Sequence, residues 1–143
     1  MDKTKIMIAL TKLNITLINN VGKDIYNYGI TPTEFKIISH LYVKGKSKTQ
    51  RLGEIAFITS GAITYFVNKL LEKEYVIKYK DKSDKRITWI ELTDNGKEFY
   101  EEMLPKHIEF LDTFFEVFEE EELDEFYKNV RSFEKKIRKQ KGE

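Results

Sequence analysis

The chain has 143 residues, of which 41% are hydrophobic and 34% charged, with a formal net charge of +1. That is the length of one ordinary domain, with enough apolar side chains for a core and a large solvated surface. No apolar run approaches the ~20 residues that span a bilayer; the first eighteen residues lack the apolar block and cleavage site of a signal peptide; and the absence of cysteine excludes disulfides and thiol redox chemistry within the chain, which fits a cytoplasmic location.

Residues 4–28 carry Ile6, Leu10, Leu13, Leu17, Val21, Ile25 and Tyr28 at steps of three and four. That spacing predicts one long amphipathic helix, stopped at Gly29. Thr31, Pro32 and Glu34 then form a capping-box start, with Pro32 at the first helical position. The helix they open is expected to reach about Val43, with Phe35, Ile38, Leu41 and Tyr42 turned inward. Lys44–Ser47 reads as a turn. A short helix is predicted from about Thr49 to Phe57, burying Leu52, Ile55 and Ala56. Ile58, Thr59 and Ser60 make a tight turn into a second helix from about Gly61 to Lys73. Its apolar face is Ile63, Val67, Leu70 and Leu71.

Val76–Lys80 and Ile87–Leu92 are rich in β-branched and aromatic residues and predict a hairpin, joined by the charged turn Asp81–Arg86. Thr93 caps a further helix, with Asp94 in its first turn where an acid suits the helix dipole. Its pattern holds Phe99, Met103, Ile108, Leu111, Phe114 and Phe118, and Pro105 inside it predicts a kink. A last helix, from about Glu121 to Gln140, is expected to bury Leu123, Phe126, Tyr127, Val130, Phe133 and Ile137. The fold class is therefore mainly α with a small β-hairpin.

Two short helices joined by a tight turn and followed by a charged hairpin are the order of a winged helix-turn-helix. Such a unit lays its second helix in the major groove of duplex DNA, while the hairpin reaches backbone or minor groove. Charge is distributed to match. Residues 31–93 hold 12 Lys/Arg and 7 Asp/Glu, residues 94–125 hold 2 and 13, and residues 126–143 hold 7 and 2. A basic middle suits phosphate, and the acidic stretch must face away from it, although solvated helix faces alone also produce such runs.

On the second helix, Ser60, Gly61, Thr64, Tyr65, Asn68 and Lys69 lie off the apolar face. Gly61 allows close backbone approach, Ser60 and Thr64 can donate to phosphate or base edges, and Tyr65 and Asn68 have the reach to read bases. A plain surface helix capped by Ser60 would show the same pattern. In the hairpin, Lys78, Lys80, Lys82, Lys85 and Arg86 crowd one unit, with Asp84 placed to orient Arg86 toward a narrow minor groove.

These residues resemble the MarR family of dimeric winged-helix transcription factors. The family's wing signature, Asp-x-Arg followed by five residues and Leu-Thr, stands complete as Asp84, Arg86, Leu92 and Thr93, with Gly96 after it. The resemblance covers nearly the whole chain, and it implies that Gln50 and Arg51 contact backbone, that the helix from Gly61 is the recognition helix and that Arg86 is the wing arginine. Asp81-Lys82 stands where the family usually has Asp-Pro. Ser60–Tyr65 and Leu104–His107 are most similar to a branch that represses genes for detoxifying quinones and aromatic compounds.

The resemblance further implies an N-terminal dimerisation helix at 1–30, a DNA-binding lobe at 31–93 and C-terminal dimerisation helices at 94–143. It implies a homodimer on a pseudo-palindromic duplex operator, with half-sites about one turn, ~34 Å, apart. A small aromatic effector is expected among Tyr26, Tyr28, Phe35, Tyr42, Phe110 and Phe114. No cofactor, metal site or enzyme motif is expected, since there is no phosphate loop or nucleophile elbow, and the only two histidines, His40 and His107, lie on different helices with no cysteine and would need carboxylates such as Glu34 or Glu109 to complete a site. A winged-helix interaction module or anti-repressor that does not bind DNA is the alternative.

Overall fold

The structure is a computed structural model and describes residues 1–142. In chain order the elements are α1 (Lys3–Tyr26), α2 (Pro32–Lys44), β1 (Ser47–Lys48), α3 (Thr49–Ala56), α4 (Ser60–Glu72), β2 (Val76–Lys80), β3 (Thr88–Leu92), α5 (Asp94–Phe115) and α6 (Glu120–Gln140). They group into two compact units, Met1–Ile108 and Glu109–Glu143.

In the first unit, Gly29 has a positive φ of 78° and ends the turn after α1. The capping box that opens α2 is formed as expected: Thr31 Oγ1 accepts from the Glu34 amide at 3.1 Å, and Glu34 Oε2 accepts from the Thr31 amide at 2.6 Å. The expectation stopped short of Glu34's second role. Its residue is only 1% exposed, and Oε1 accepts from Lys73 Nζ at 2.8 Å. Burying a carboxylate that deeply is costly unless a cation and hydrogen bonds satisfy it. The pair thereby ties the start of α2 to the residue that ends α4.

Ile25, Ile30, Ile37, Ile38, Leu41, Leu52, Ile63, Val67, Leu70, Val76, Ile90, Leu92, Tyr100 and Met103 form one core cluster. Ile37 belongs to it. Tyr42, predicted to turn inward, is exposed, because its ring lies across Tyr100 at 4.7 Å and its hydroxyl donates to Glu101 on the surface. His107 is buried on α5, with Nδ1 2.7 Å from Asp24 Oδ2 on α1, and its ring meets Phe35 edge-on.

The hairpin is wider than predicted. Ser47, read as the end of a turn, and Lys48 pair with Ile90 and Trp89, so the sheet has three antiparallel strands in the order β1-β3-β2. β3 begins at Thr88, one residue after the predicted start, because Ile87 closes the wing turn: the Asp81 amide donates to its carbonyl at 3.0 Å. Val76, Ile90 and Leu92 face the core, and Tyr79 and Trp89 lie half-buried on the other side. The α3–α4 turn also differs. Thr59, not Ser60, caps α4, its Oγ1 accepting from the Ala62 amide at 3.3 Å, and Phe57 ends α3 at a left-handed φ of 56°.

α5 runs through Pro105 without a break. In the second unit, α6 opens on a capping box between Glu119 and Glu122. None of its residues is buried. Phe126, Tyr127, Val130, Phe133 and Ile137, predicted as core, are 41–63% exposed, and Leu123 is half-buried. Helical periodicity identifies which face is apolar but not what covers it.

Gly96 is the most closely packed of the described glycines. A Cβ there would stand 2.1 Å from the Tyr75 carbonyl oxygen, whose partner is the Thr93 amide at 3.0 Å. Gly96→Ala is expected to destabilise the protein by roughly 1–3 kcal/mol, since backbone rather than a flexible side chain must yield. Urea unfolding measures this, and an unchanged midpoint would show that the junction between wing and α5 is pliable.

Candidate nucleic-acid interface

α4 is held by one face. Ile63, Val67 and Leu70 are buried, while Ser60, Gly61, Thr64, Tyr65 and Asn68 are exposed. Gly61 has no atom of the chain within 4 Å of where a Cβ would stand, so internal packing does not demand glycine there. The exposed residues divide between two sides of the helix. Thr64 and Asn68 line a cleft of about 430 Å³ together with Lys48, Thr49, Gln50, Lys78, Arg86, Ile87 and Thr88. Tyr65 and Lys69 instead line a second cleft of about 360 Å³ with Tyr26, Gly29, Thr31, Glu34 and Lys73.

The first cleft therefore gathers Gln50 from α3, Thr64 and Asn68 from α4, and Arg86 from the wing, four residues singled out from the sequence. It adds Lys48, Thr49 and Thr88, which sequence reasoning missed, and Lys78, noted there only as part of the wing's charge. Its lining holds three cations and no carboxylate. The start of α3 is also open to an acceptor: Lys48 supplies no side-chain cap, and Thr49 Oγ1 is buried without a hydrogen bond among the described residues. Free amides at a helix start attract anions. Arg51 is exposed beside this start and is paired with Glu54 at 3.1 Å.

The wing turn is tightly bonded. Asp84 accepts from the Arg86 amide, Nε and a terminal guanidinium nitrogen, each at 3.0 Å. Arg86 first, through its side chain and then its amide, holds the Asp84 carboxyl below its ordinary range. The Trp89 indole N–H, then the amides of Asp84 and Ser83, do the same for Asp81. Groups with depressed values lose their partners only as pH falls below the ordinary carboxylate range, so the turn keeps these bonds at neutral pH. Lys82 and Lys85 are exposed on the same turn and do not line the cleft.

Tyr26 lines the second cleft. Phe35 and Tyr42 pack on Tyr100, Tyr28 lies against the core cluster, and Phe110 and Phe114 face each other with centroids 6.0 Å apart. No helix is long and apolar enough to cross a membrane among the described residues.

Known proteins match this arrangement. The sequence model of the family described as "Transcriptional regulator SarA/Rot" matches residues 16–103. The HTH-type transcriptional regulator MhqR of Bacillus subtilis (strain 168) is 32% identical over 120 residues, covering 84% of this chain and 83% of MhqR. A MarR-like transcription regulator of Bacillus cereus ATCC 10987 superposes with a TM-score of 0.85 at 23% identity, over 96% of this chain and 99% of that one. NadR, solved in complex with 4-hydroxyphenylacetate, superposes with a TM-score of 0.70 at 24% identity, over 90% and 91% of the two chains. With six helices, a helix-turn-helix and a three-stranded wing sheet among its described residues, the chain shares the winged-helix fold of MarR-like proteins; it belongs to the SarA/Rot family of transcriptional regulators and is a DNA-binding regulator rather than an enzyme.

Proposed function

We propose that the chain is a cytoplasmic repressor that binds a pseudo-palindromic operator as a homodimer and is released by a small aromatic ligand. The observation that carries the DNA-binding mode is the carboxylate-free cleft on which Gln50, Thr64, Asn68 and Arg86 converge. In this reading Asn68 and Thr64 read base edges, since a side-chain amide can pair with adenine through two hydrogen bonds. Ser60 and Gly61 lie close to the duplex. Gln50, Arg51, Lys48 and Lys78 hold phosphates, and Arg86, with Lys82 and Lys85 beside it, enters the minor groove. Tyr65 and Lys69, on the far side of α4, touch the groove's edge at most.

Operator binding tests this. Asn68→Ala should cost roughly 1–3 kcal/mol of discrimination between the operator and a single-base variant. Arg86→Ala should weaken operator binding while leaving the fold intact, as its side chain is 91% exposed. Binding should also fall steeply with salt while the preference for one sequence persists. Variants that bind and discriminate as the parent does would remove these residues from the interface.

A homodimer is supported by the unburied apolar stripes. Ile6, Leu10 and Leu13 on α1, and Phe126, Val130, Phe133 and Ile137 on α6, follow helical spacing yet remain exposed in the single chain. Isolated apolar faces of this extent mark association surfaces, and a two-fold pair suits two half-sites. Sedimentation at micromolar concentration should give twice the chain mass, and a monomer would contradict the proposal.

For the ligand, the cleft beside Tyr26 offers an aromatic wall, the amines of Lys69 and Lys73, and a wall made by α4 itself. An occupant there would bias the position of α4, and NadR provides the precedent of a bound aromatic acid. Titrating the operator complex with 4-hydroxyphenylacetate and related phenols or quinones should release DNA. Affinity unmoved by any of them would leave repression without this signal.

A further inference from the structure

Arg86 presents a difficulty for a rigid reader of DNA. Its side chain is 91% exposed, and that of its partner Asp84 is 36% exposed. Water screens such a pair, and holding a long side chain in one geometry costs rotamer entropy, so an exposed ion pair does little to order itself. Asp84 can orient Arg86 only if Asp84 is itself held.

The hydrogen bonds lead away from the tip to β3. The Asp84 amide and the Ser83 amide both donate to Asp81 Oδ2 at 3.0 Å. Asp81 Oδ1 accepts from Trp89 Nε1 at 2.8 Å. Trp89 pairs with Tyr79 across the β2–β3 ladder and with Lys48 of β1. The Lys46 amine lies 4.9 Å from its ring centroid. The indole is therefore seated on three strands, and its one polar atom points at the turn.

We propose that Trp89 is a positioning residue for the wing arginine: its indole N–H holds Asp81, Asp81 holds the amides of Ser83 and Asp84, and Asp84 aims Arg86. The ring and the N–H have separable tasks. The ring packs under Lys46 and beside Tyr79, which any aromatic side chain would do. The N–H is the side-chain donor by which the sheet holds a carboxylate of the turn, so the wing arginine is aimed from the sheet rather than by its own ion pair. The consequence for DNA binding rests on the reading of Arg86 as a DNA contact, whereas its consequence for the free protein does not.

Trp89→Phe separates the two tasks, since it keeps an aromatic face and removes the donor. Relaxation of the Arg86 Nε–H, measured by NMR without DNA, should show an ordered side chain in the parent and a mobile one in Trp89→Phe. Asp81→Ala should produce the same mobility with Trp89 in place, and should shift the indole N–H resonance, which is unmistakable because the chain has one Trp. Operator affinity should fall about fivefold in Trp89→Phe, the equivalent of one net hydrogen bond. That loss should vanish in an Arg86→Ala background, because the two residues act in series.

An Arg86 side chain equally ordered in parent, Trp89→Phe and Asp81→Ala would overturn the proposal. So would an affinity loss that persists undiminished without Arg86, which is what a merely structural tryptophan would produce. Should Arg86→Ala alone bind the operator as the parent does, the DNA reading of Arg86 fails, and the relaxation measurement on the free protein still decides the role of Trp89.

Discussion

Ile63, Val67 and Leu70 hold α4 against the core by one face, and each is 2% exposed or less. Burying an aliphatic side chain of this size contributes roughly 1.5–3 kcal/mol. Three on consecutive turns fix both the axis of the helix and its rotation about that axis. Rotation is what matters for recognition, because it decides which side chains leave the protein surface. With those three inward, Thr64 and Asn68 stand over one cleft and Tyr65 and Lys69 over another. The Glu34–Lys73 pair adds a constraint at the far end, where a buried carboxylate draws the end of α4 onto the start of α2. The proposed contact of α4 with a duplex needs a rigid surface, and this anchoring supports that reading.

The wing meets the same requirement by different means. Its turn has almost no apolar material to bury, so order comes from hydrogen bonds. Asp81 and Asp84 each accept three, and five of the six donors lie within the turn itself. The sixth is Trp89, rooted in the sheet. The carboxylates also offset part of the positive charge of Lys82, Lys85 and Arg86 within the turn, while the adjoining cleft holds Lys48, Lys78 and Arg86 and no carboxylate.

Much of this was legible beforehand for reasons that can be named. Helix starts announce themselves because capping is local. Thr31, Pro32 and Glu34 specify the start of α2 with no help from the rest of the chain. Thr93 caps α5 equally locally, accepting from the Gly96 amide at 3.0 Å. The Asp84–Arg86 contact spans two residues and was expected from their spacing. By contrast, β1 is two residues long, and its strand character exists only because Ile90 and Trp89 lie opposite. No local propensity could reveal it, and with it went Lys48 and Thr49. The cap of α4 was misplaced by one residue because Thr59 and Ser60 are both competent caps and only the entry angle of the chain chooses between them.

Taken alone, the order of amino acids determined the helices and the hairpin, because each depends on period, caps or a short motif. Tertiary structure decided which polar residues of α4 share a cleft with the wing, that Glu34 spends its charge on Lys73, and that Trp89 reaches Asp81. Those outcomes depend on distances between segments far apart in the chain, which neither periodicity nor composition encodes. The apolar stripe of α6 lies between the two cases: its pattern is written in the sequence, but burial needs a covering surface, and Phe126, Val130, Phe133 and Ile137 are exposed.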